Sequence, residues 1–311
     1  MPGEVDRFAA TLFAEQERLL TTFEQYDGGA RFERKPWRRD ELGHGLVGIL
    51  EGGAVFERAA VNVSDVSGSQ VPEAITATRP QLAGRPFRAT GISLVLHPLN
   101  PYAPSFHANF RYFEAGDDWW FGGGLDLTPM YGFTEDGEHF HRALHAWCER
   151  HELADYPGWK ATCDEYFVIP HRHEMRGLGG VFFDRLTGRD SGSDPSSGAG
   201  SGSGDFDACR QVVADGINSI VGAYRPILDR RRDLPYGDRE RAWQLHRRGR
   251  YVEFNLTYDR GTRFGLQTKG NIEAILISLP PMAGWSYDFT PAPDSPEEAT
   301  HALLQPRNWL T

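Results

Sequence analysis

Hydrophobic positions recur along the chain with two periods, and the switches between them lay out its elements. In residues 4–26, Val5, Phe8, Leu12, Leu19 and Phe23 fall at helical spacing, and Asp27-Gly28-Gly29 supplies a stop. Residues 31–50 are mixed and hold a basic cluster, Arg31, Arg34, Lys35, Arg38 and Arg39, which reads as a solvated loop. From 52 to 132, short β-branched and aromatic runs broken by Gly and Pro predict strands. Residues 135–167, 207–232 and 236–247 read as helices, whereas 250–259 and 270–279 return to a strand-like pattern. A last helix is expected to start near Ser295-Pro296-Glu297-Glu298. Strands on both sides of a helical middle, without regular βαβ alternation, predict an α+β fold. It would be a large, mostly antiparallel sheet with helices on both faces.

One segment departs from both periods. Residues 188–205 hold twelve Ser or Gly among eighteen, too few apolar groups to bury, so a flexible loop is expected there. Its flanks have similar composition, which makes it an insertion within a single domain, 1–311, rather than a linker. Hydrophobic residues make up 40% of the 311, enough for a real core. The formal net charge of −10 argues against nucleic acid or an anionic membrane as partner, since both call for a basic surface. No apolar run approaches the roughly 20 residues of a membrane span. The start, MPGEVDRFAATLF, lacks the basic and apolar regions of a secretory signal, so a cytoplasmic location is expected. Cys148, Cys163 and Cys209 show no CxxC spacing, which argues against a disulfide scaffold or a zinc–thiolate site.

The chemistry concentrates in GISLVLHPLNPYAPSFHANFRYFEA (91–115). Two extended runs flank a proline-rich turn, and side chains alternate faces along each. Pairing 97 with 107, 95 with 109 and 93 with 111 puts Ser93, His97, His107, Asn109 and Arg111 on one wall. Such a wall is either the solvent face of the sheet or a site, and the absence of Lys and Glu from it favours neither outright. Further imidazoles follow at His139, His141, His145, His171 and His173. Without HExxH the metal signal is weak, and they read as hydrogen-bonded structural residues ahead of a metal set. Two glycine runs, WWFGGGLDLTP (119–129) and RGLGGVFFDRL (176–186), match no phosphate loop. They allow either close backbone packing or approach of a flat ligand, and Asp126 beside the first is a carboxylate in apolar company. Basic residues at 247, 248, 250, 260, 263 and 269 stand out in an acidic chain and suggest acidic groups on a ligand. The same region also reads as a core or subunit-interface strand pair.

These segments, with AVFERAAVNVS (54–64), TRPQLAGRPF (78–87), CDEYFVIPHRHEMRGLGGVFFDRL (163–186), YGDRERAWQLHRRGRYVEFNLTYDRGTRFGLQT (236–268) and SLPPMAGWSYDF (278–289), resemble the oxygen-dependent coproporphyrinogen-III oxidases. They stand in the family's order and cover nearly the whole chain outside the Ser/Gly segment. The resemblance implies conversion of coproporphyrinogen III to protoporphyrinogen IX in haem biosynthesis. Two propionates lose CO2 and become vinyl groups, with O2 as co-substrate. It implies a homodimer formed through about 251–286. Ser93 matches a substrate contact, His107 a proposed proton donor, and Asn109, Phe110 and Arg111 a substrate-binding tripeptide. Asp126 matches an acid proposed to hold the pyrrole nitrogens. His97, His107, His141 and His171 match positions proposed as ligands of a divalent metal cation, and the same imidazoles could instead serve as hydrogen-bond donors. No flavin, haem or nicotinamide is expected. Where the family has Gly-Gly-Arg, this chain has Lys269-Gly270-Asn271, a point charge in place of a bidentate fork. A non-catalytic tetrapyrrole carrier and a histidine-ligated metal hydrolase are the rival readings.

Overall fold

The computed structural model describes residues 3–40, 42–187, 203–267 and 271–310. Helix α1 (Glu4–Asp27) opens the chain, followed by strands β1 (Glu33–Arg39), β2 (Gly43–Glu51) and β3 (Phe56–Gly68) and the short helix α2 (Glu73–Thr76). Strands β4 (Phe87–Pro98), β5 (Ser105–Ala115) and β6 (Asp118–Thr128) come next, then helices α3 (Thr134–Cys148) and α4 (Tyr156–Tyr166). Two-residue strands β7 (Val168–Ile169) and β8 (Glu174–Met175) precede β9 (Gly180–Leu186). Helices α5 (Ser203–Arg231), α6 (Asp238–Thr257), α7 (Arg260–Gln267), α8 (Ile272–Leu276) and α9 (Pro296–Leu303) complete it. Seven strands form one sheet in the order β1-β2-β3-β4-β5-β6-β9, and every neighbouring pair is antiparallel. The α+β expectation with helices on both faces holds. Among the described residues no helix is long and apolar enough to cross a membrane.

Alternation divides the sheet's work. One face carries Val61, Leu94, Phe106, Phe110 and Leu125, which pack against α1, α3 and α5 through Leu12, Leu144, Trp147 and Ile217. Fully burying each such Leu or Phe is worth about 1.5–3 kcal/mol, so this face holds most of the stability. The other face is covered mainly at its ends, and over Asn62 of β3 by α8, whose Ala274 O accepts from Asn62 Nδ2 at 3.1 Å. At one end, Tyr251 of α6 packs on Ala60 and Val95. At the other, Val71 and Leu82 from the segment around α2 pack on Phe113 and Trp120. Between these caps runs a trough floored by β3, β4, β5 and β6.

Several expectations are corrected. The β4–β5 register pairs Val95 with His107, Ser93 with Asn109 and Gly91 with Arg111, two residues from the anticipated pairing. The turn is centred one residue earlier than assumed, and in it the Asn100 side chain accepts from Tyr102 N and its carbonyl from Ala103 N. A slip of two preserves faces, so the polar wall survives. The basic cluster is not a loop. Most of it lies on edge strand β1, where Arg34 pairs with Glu17 and Glu24 of α1. Charge on an edge strand discourages pairing with another chain. Residues 250–259 continue helix α6 almost to its end, because Trp243, Arg247, Tyr251 and Phe254 are buried at helical spacing, and this outweighs the period-two coincidence. Within 270–279, Asn271 caps α8 by accepting from Ala274 N at 3.3 Å, so a short helix replaces the anticipated strand. Residues 203–205 of the anticipated loop open α5, and the rest of that segment lies outside the described residues. Ser295 caps α9 as expected, accepting from Glu298 N at 3.2 Å.

Candidate active site

Cross-strand register brings His107 of β5 opposite Asp126 of β6, and Asp126 opposite Gly180 of β9. His107 Nδ1 donates to Asp126 Oδ1 at 2.8 Å. Arg176, from the loop before β9, donates from Nη2 to Asp126 Oδ2 at 2.6 Å. Both carboxylate oxygens are therefore engaged. Burial alone would push the Asp126 carboxyl up. The Arg176 guanidinium and then His107 outweigh it and hold Asp126 below the usual carboxylate range. Arg176 is itself only 2% exposed. Its guanidinium lies 4.1 Å over Phe167, 4.7 Å over Tyr251 and 4.9 Å over Phe254, and Nη1 donates to Asn255 at 3.3 Å. Because ionised Asp126 can only accept, the proton on His107 sits at Nδ1, which leaves Nε2 as the basic atom. No described residue bonds Nε2, and the ring is about one quarter exposed (26%).

The trough extends from this pair along the strands. Asn62, Ser93 and Asn109 form one cross-strand row, and Ser64, Gly91 and Arg111 form the next. Gly124 continues the first row and Gly122 the second. The space a Cβ would take at 91, 122 and 124 is filled by the chain itself: it would meet Phe110 O at 2.8 Å, Asp184 Oδ1 at 3.1 Å and Val181 O at 2.5 Å. Arg111 Nη1 donates to Asn109 Oδ1 at 3.2 Å, and Nη2 lies 3.2 Å from Asp184 Oδ1. Arg260 joins this end, its guanidinium 5.7 Å from the Phe182 ring that Arg111 approaches at 5.8 Å. Phe110 goes elsewhere: it is 1% exposed on the core face, 5.9 Å from Trp147. Of the two anticipated uses, the described glycines serve close packing. Gly123 turns to the core, where a Cβ would come within 2.5 Å of Phe110. Gly179 has φ +74°, a left-handed conformation open to glycine, just before β9.

The four histidines anticipated as metal ligands are not brought together. His97 is fully buried, with Nε2 donating to Ser278 O and Nδ1 accepting from Ser105 Oγ, both at 2.9 Å. His141 lies on α3 on the sheet's other side, donating from Nε2 to Leu178 O at 3.0 Å and accepting at Nδ1 from Tyr156 OH at 2.8 Å. Burial pushes both imidazoles down to about 3, so both are neutral. His171 bonds Glu253 through Nε2 and Tyr258 through Nδ1, each at 2.7 Å. Of these four, His107 alone keeps a ring nitrogen unbonded among the described residues. Among the described residues no three His, Cys, Asp or Glu are placed to hold a metal ion. These residues do not fit a shared metal, and no step below is routed through one.

Of the anticipated substrate tripeptide variant, Lys269 and Gly270 lie outside the described residues, and Asn271 serves as the α8 cap. Three of the basic residues thought to await an acidic ligand are taken by the chain itself. Arg247 pairs with Glu174 at 2.7 Å, Arg248 with Glu57 at 2.5 Å and Arg250 with Glu253 at 3.1 Å. Sequence reasoning missed Arg176. The available signal was Asp126 itself: a carboxylate between leucines needs a counter-charge, and Arg176 opens the second glycine run.

A protein-family model described as coproporphyrinogen III oxidase matches residues 7–309, nearly the whole chain. The chain belongs to that family.

Proposed function

We propose that the protein converts coproporphyrinogen III to protoporphyrinogen IX using O2, without a bound organic cofactor. The observation that carries this reading is the His107–Asp126–Arg176 array, with His107 Nε2 unbonded among the described residues at the head of the polar wall that holds Asn109 and Arg111. Each propionate, –CH2–CH2–COO⁻, would become a vinyl group by losing CO2 and a hydride equivalent. O2 would take that hydride with one proton to give H2O2, so atoms and electrons balance. The electron-rich tetrapyrrole would supply the reducing power, and the protein would orient it, exclude water and move protons.

Roles follow from the geometry. Arg111 would anchor a substrate carboxylate by a charge-assisted hydrogen bond, beside Asn109 and Ser93. Nε2 of His107 would exchange a proton with the reacting porphyrinogen. Asp126 would act from behind, fixing the ring's tautomer and stabilising the imidazolium, rather than meeting the pyrrole nitrogens itself. Arg176 would keep Asp126 ionised. Proton transfer of this kind contributes about 10²–10⁴-fold.

We also propose a homodimer through about 251–286. Leu256, Ile272, Met282 and Trp285 support it: all are large apolar residues, 45%, 47%, 53% and 56% exposed, within one stretch of chain.

The test is incubation with coproporphyrinogen III under air and under anaerobic conditions, each with chelator and with added divalent cation, and products identified by chromatography. The proposal expects protoporphyrinogen IX in air only, chelator included. Tight binding without product in any arm would favour the tetrapyrrole carrier. Product only with added cation would put a metal back into the mechanism.

A further inference from the structure

Arg79 is a cation the site described so far does not use. It belongs to the segment around α2 that caps the far end of the trough, and it is 6% exposed. Its guanidinium lies 4.6 Å over the ring of Trp120. Trp120 stands opposite Phe113, two residues along β6 from Gly122, and so faces the same side of the sheet as Arg111. The Arg79 Nε is buried and has no hydrogen-bond partner among the described residues. No carboxylate forms an ion pair with Arg79 among the described residues. The two acids whose charge reaches Arg79 are paired elsewhere: Asp118 with Arg85 at 2.8 Å and Asp184 with Arg111 at 3.2 Å. Burial and the charge of Arg185 both disfavour the charged form of Arg79. An uncompensated buried charge is unfavourable, and the Trp120 ring offsets only part of that. The fold therefore keeps a guanidinium with unspent donors over the trough.

We propose that Arg79, seated on Trp120, is a second carboxylate-binding subsite that holds a propionate of the substrate remote from the one reacting. The inference rests on the tetrapyrrole reading above and adds to it a residue that selects for a polycarboxylate ring. Position gives the division of labour. Arg111 lies four residues along β5 from His107 and Phe113 six, or about 13 and 20 Å at the strand's rise. A group bound at Arg79 is too far from His107 Nε2 to exchange a proton with it. Arg79 therefore binds and orients, and it tells a carboxylate from a neutral substituent of similar size.

The test uses the full-length protein, coproporphyrin III as an inert tetracarboxylate probe, and its tetra-amide as the neutral control. Fluorescence quenching gives Kd, and turnover of coproporphyrinogen III gives kcat and KM. Arg79→Met should raise Kd and KM for the tetracarboxylates by roughly 10–100-fold, the loss of one charged hydrogen-bonding group. It should leave kcat within about twofold and binding of the tetra-amide unchanged, as expected when only uniform binding is removed. Arg79→Lys, a point charge without the fork, should weaken tetracarboxylate binding about threefold. If Arg79→Met does not fold, the lysine variant carries the test. Unchanged tetracarboxylate binding in the folded variant, or equal weakening toward the tetra-amide, overturns the subsite. Failure of the unmutated protein to bind coproporphyrin III overturns the tetrapyrrole reading and the subsite together.

Discussion

Phe110 and Arg111 are neighbours on β5 and face opposite ways. Phe110 sits against Trp147 in a continuous aliphatic and aromatic layer. Arg111 sits in a row of serine, glycine and aspartate, held by 3.2 Å contacts and more than a third exposed (37%). The same strands build both faces, so the sheet's rigidity, paid for by the core face, positions the polar face. A change on one face should move stability and leave chemistry alone, and a change on the other should do the reverse. One exception is Arg176, which is on the polar side yet only 2% exposed. There, position and stability are coupled through Asp126.

The sharpest contrast should come from the core. Phe110→Ala is expected to cost about 3–5 kcal/mol of stability in urea unfolding, while turnover per folded molecule changes little. Comparable loss of turnover in the folded fraction would mean that the core face shapes the site directly. Across the strand, Arg111→Ala should leave the unfolding midpoint nearly unmoved. It should lower kcat/KM by roughly 10–100-fold, the worth of a charged hydrogen bond to substrate. Wild-type kcat/KM in that variant would remove Arg111 from substrate binding.

How far the two faces could be read from the chain follows from what sets each. Alternation in 91–115 identified the polar wall, because a strand's period is fixed by backbone geometry and survives a register error of two. The α+β class was legible for the same reason. The run from 250 to 259 misled because its alternation is local, whereas its burial is decided by partners distant in sequence, including His97 against Tyr251. Charge counting misled in a similar way: an acidic chain does not say which carboxylates lie beside Arg247 and Arg248. The histidines were legible as residue types, but their separation across the sheet depends on how α3 and the 170–172 turn dock.

Smaller effects sharpen the picture. His97 and His141 are neutral in the fold, with values near 3, against about 6.5 for an unfolded histidine. Below about pH 6.5 the unfolded chain binds protons that the folded one refuses, so stability is greatest above that pH and falls as pH drops toward 3. The limiting slope is about 1.4 kcal/mol per pH unit for each histidine. The depressed carboxyl of Asp126 adds a further loss below about pH 3.8, where the unfolded carboxylate takes up a proton that the folded one refuses. Urea midpoints from pH 7.5 to 4.5 should show this fall, and His141→Gln should flatten it. An unchanged slope would mean His141 takes up a proton in the fold. Least in energy, Trp285→Glu should shift protomer stability by about 0.5 kcal/mol or less. It should convert a dimer to a monomer in analytical ultracentrifugation, and an unaltered dimer would move the interface away from 251–286.

The central claim is that His107 Nε2, held by Asp126, does the proton transfer. The most direct measurement is turnover of His107→Gln alongside its affinity for coproporphyrin III. The account predicts kcat reduced about 10²–10⁴-fold with Kd within about threefold of wild type. A kcat close to wild type, with binding intact, would contradict it.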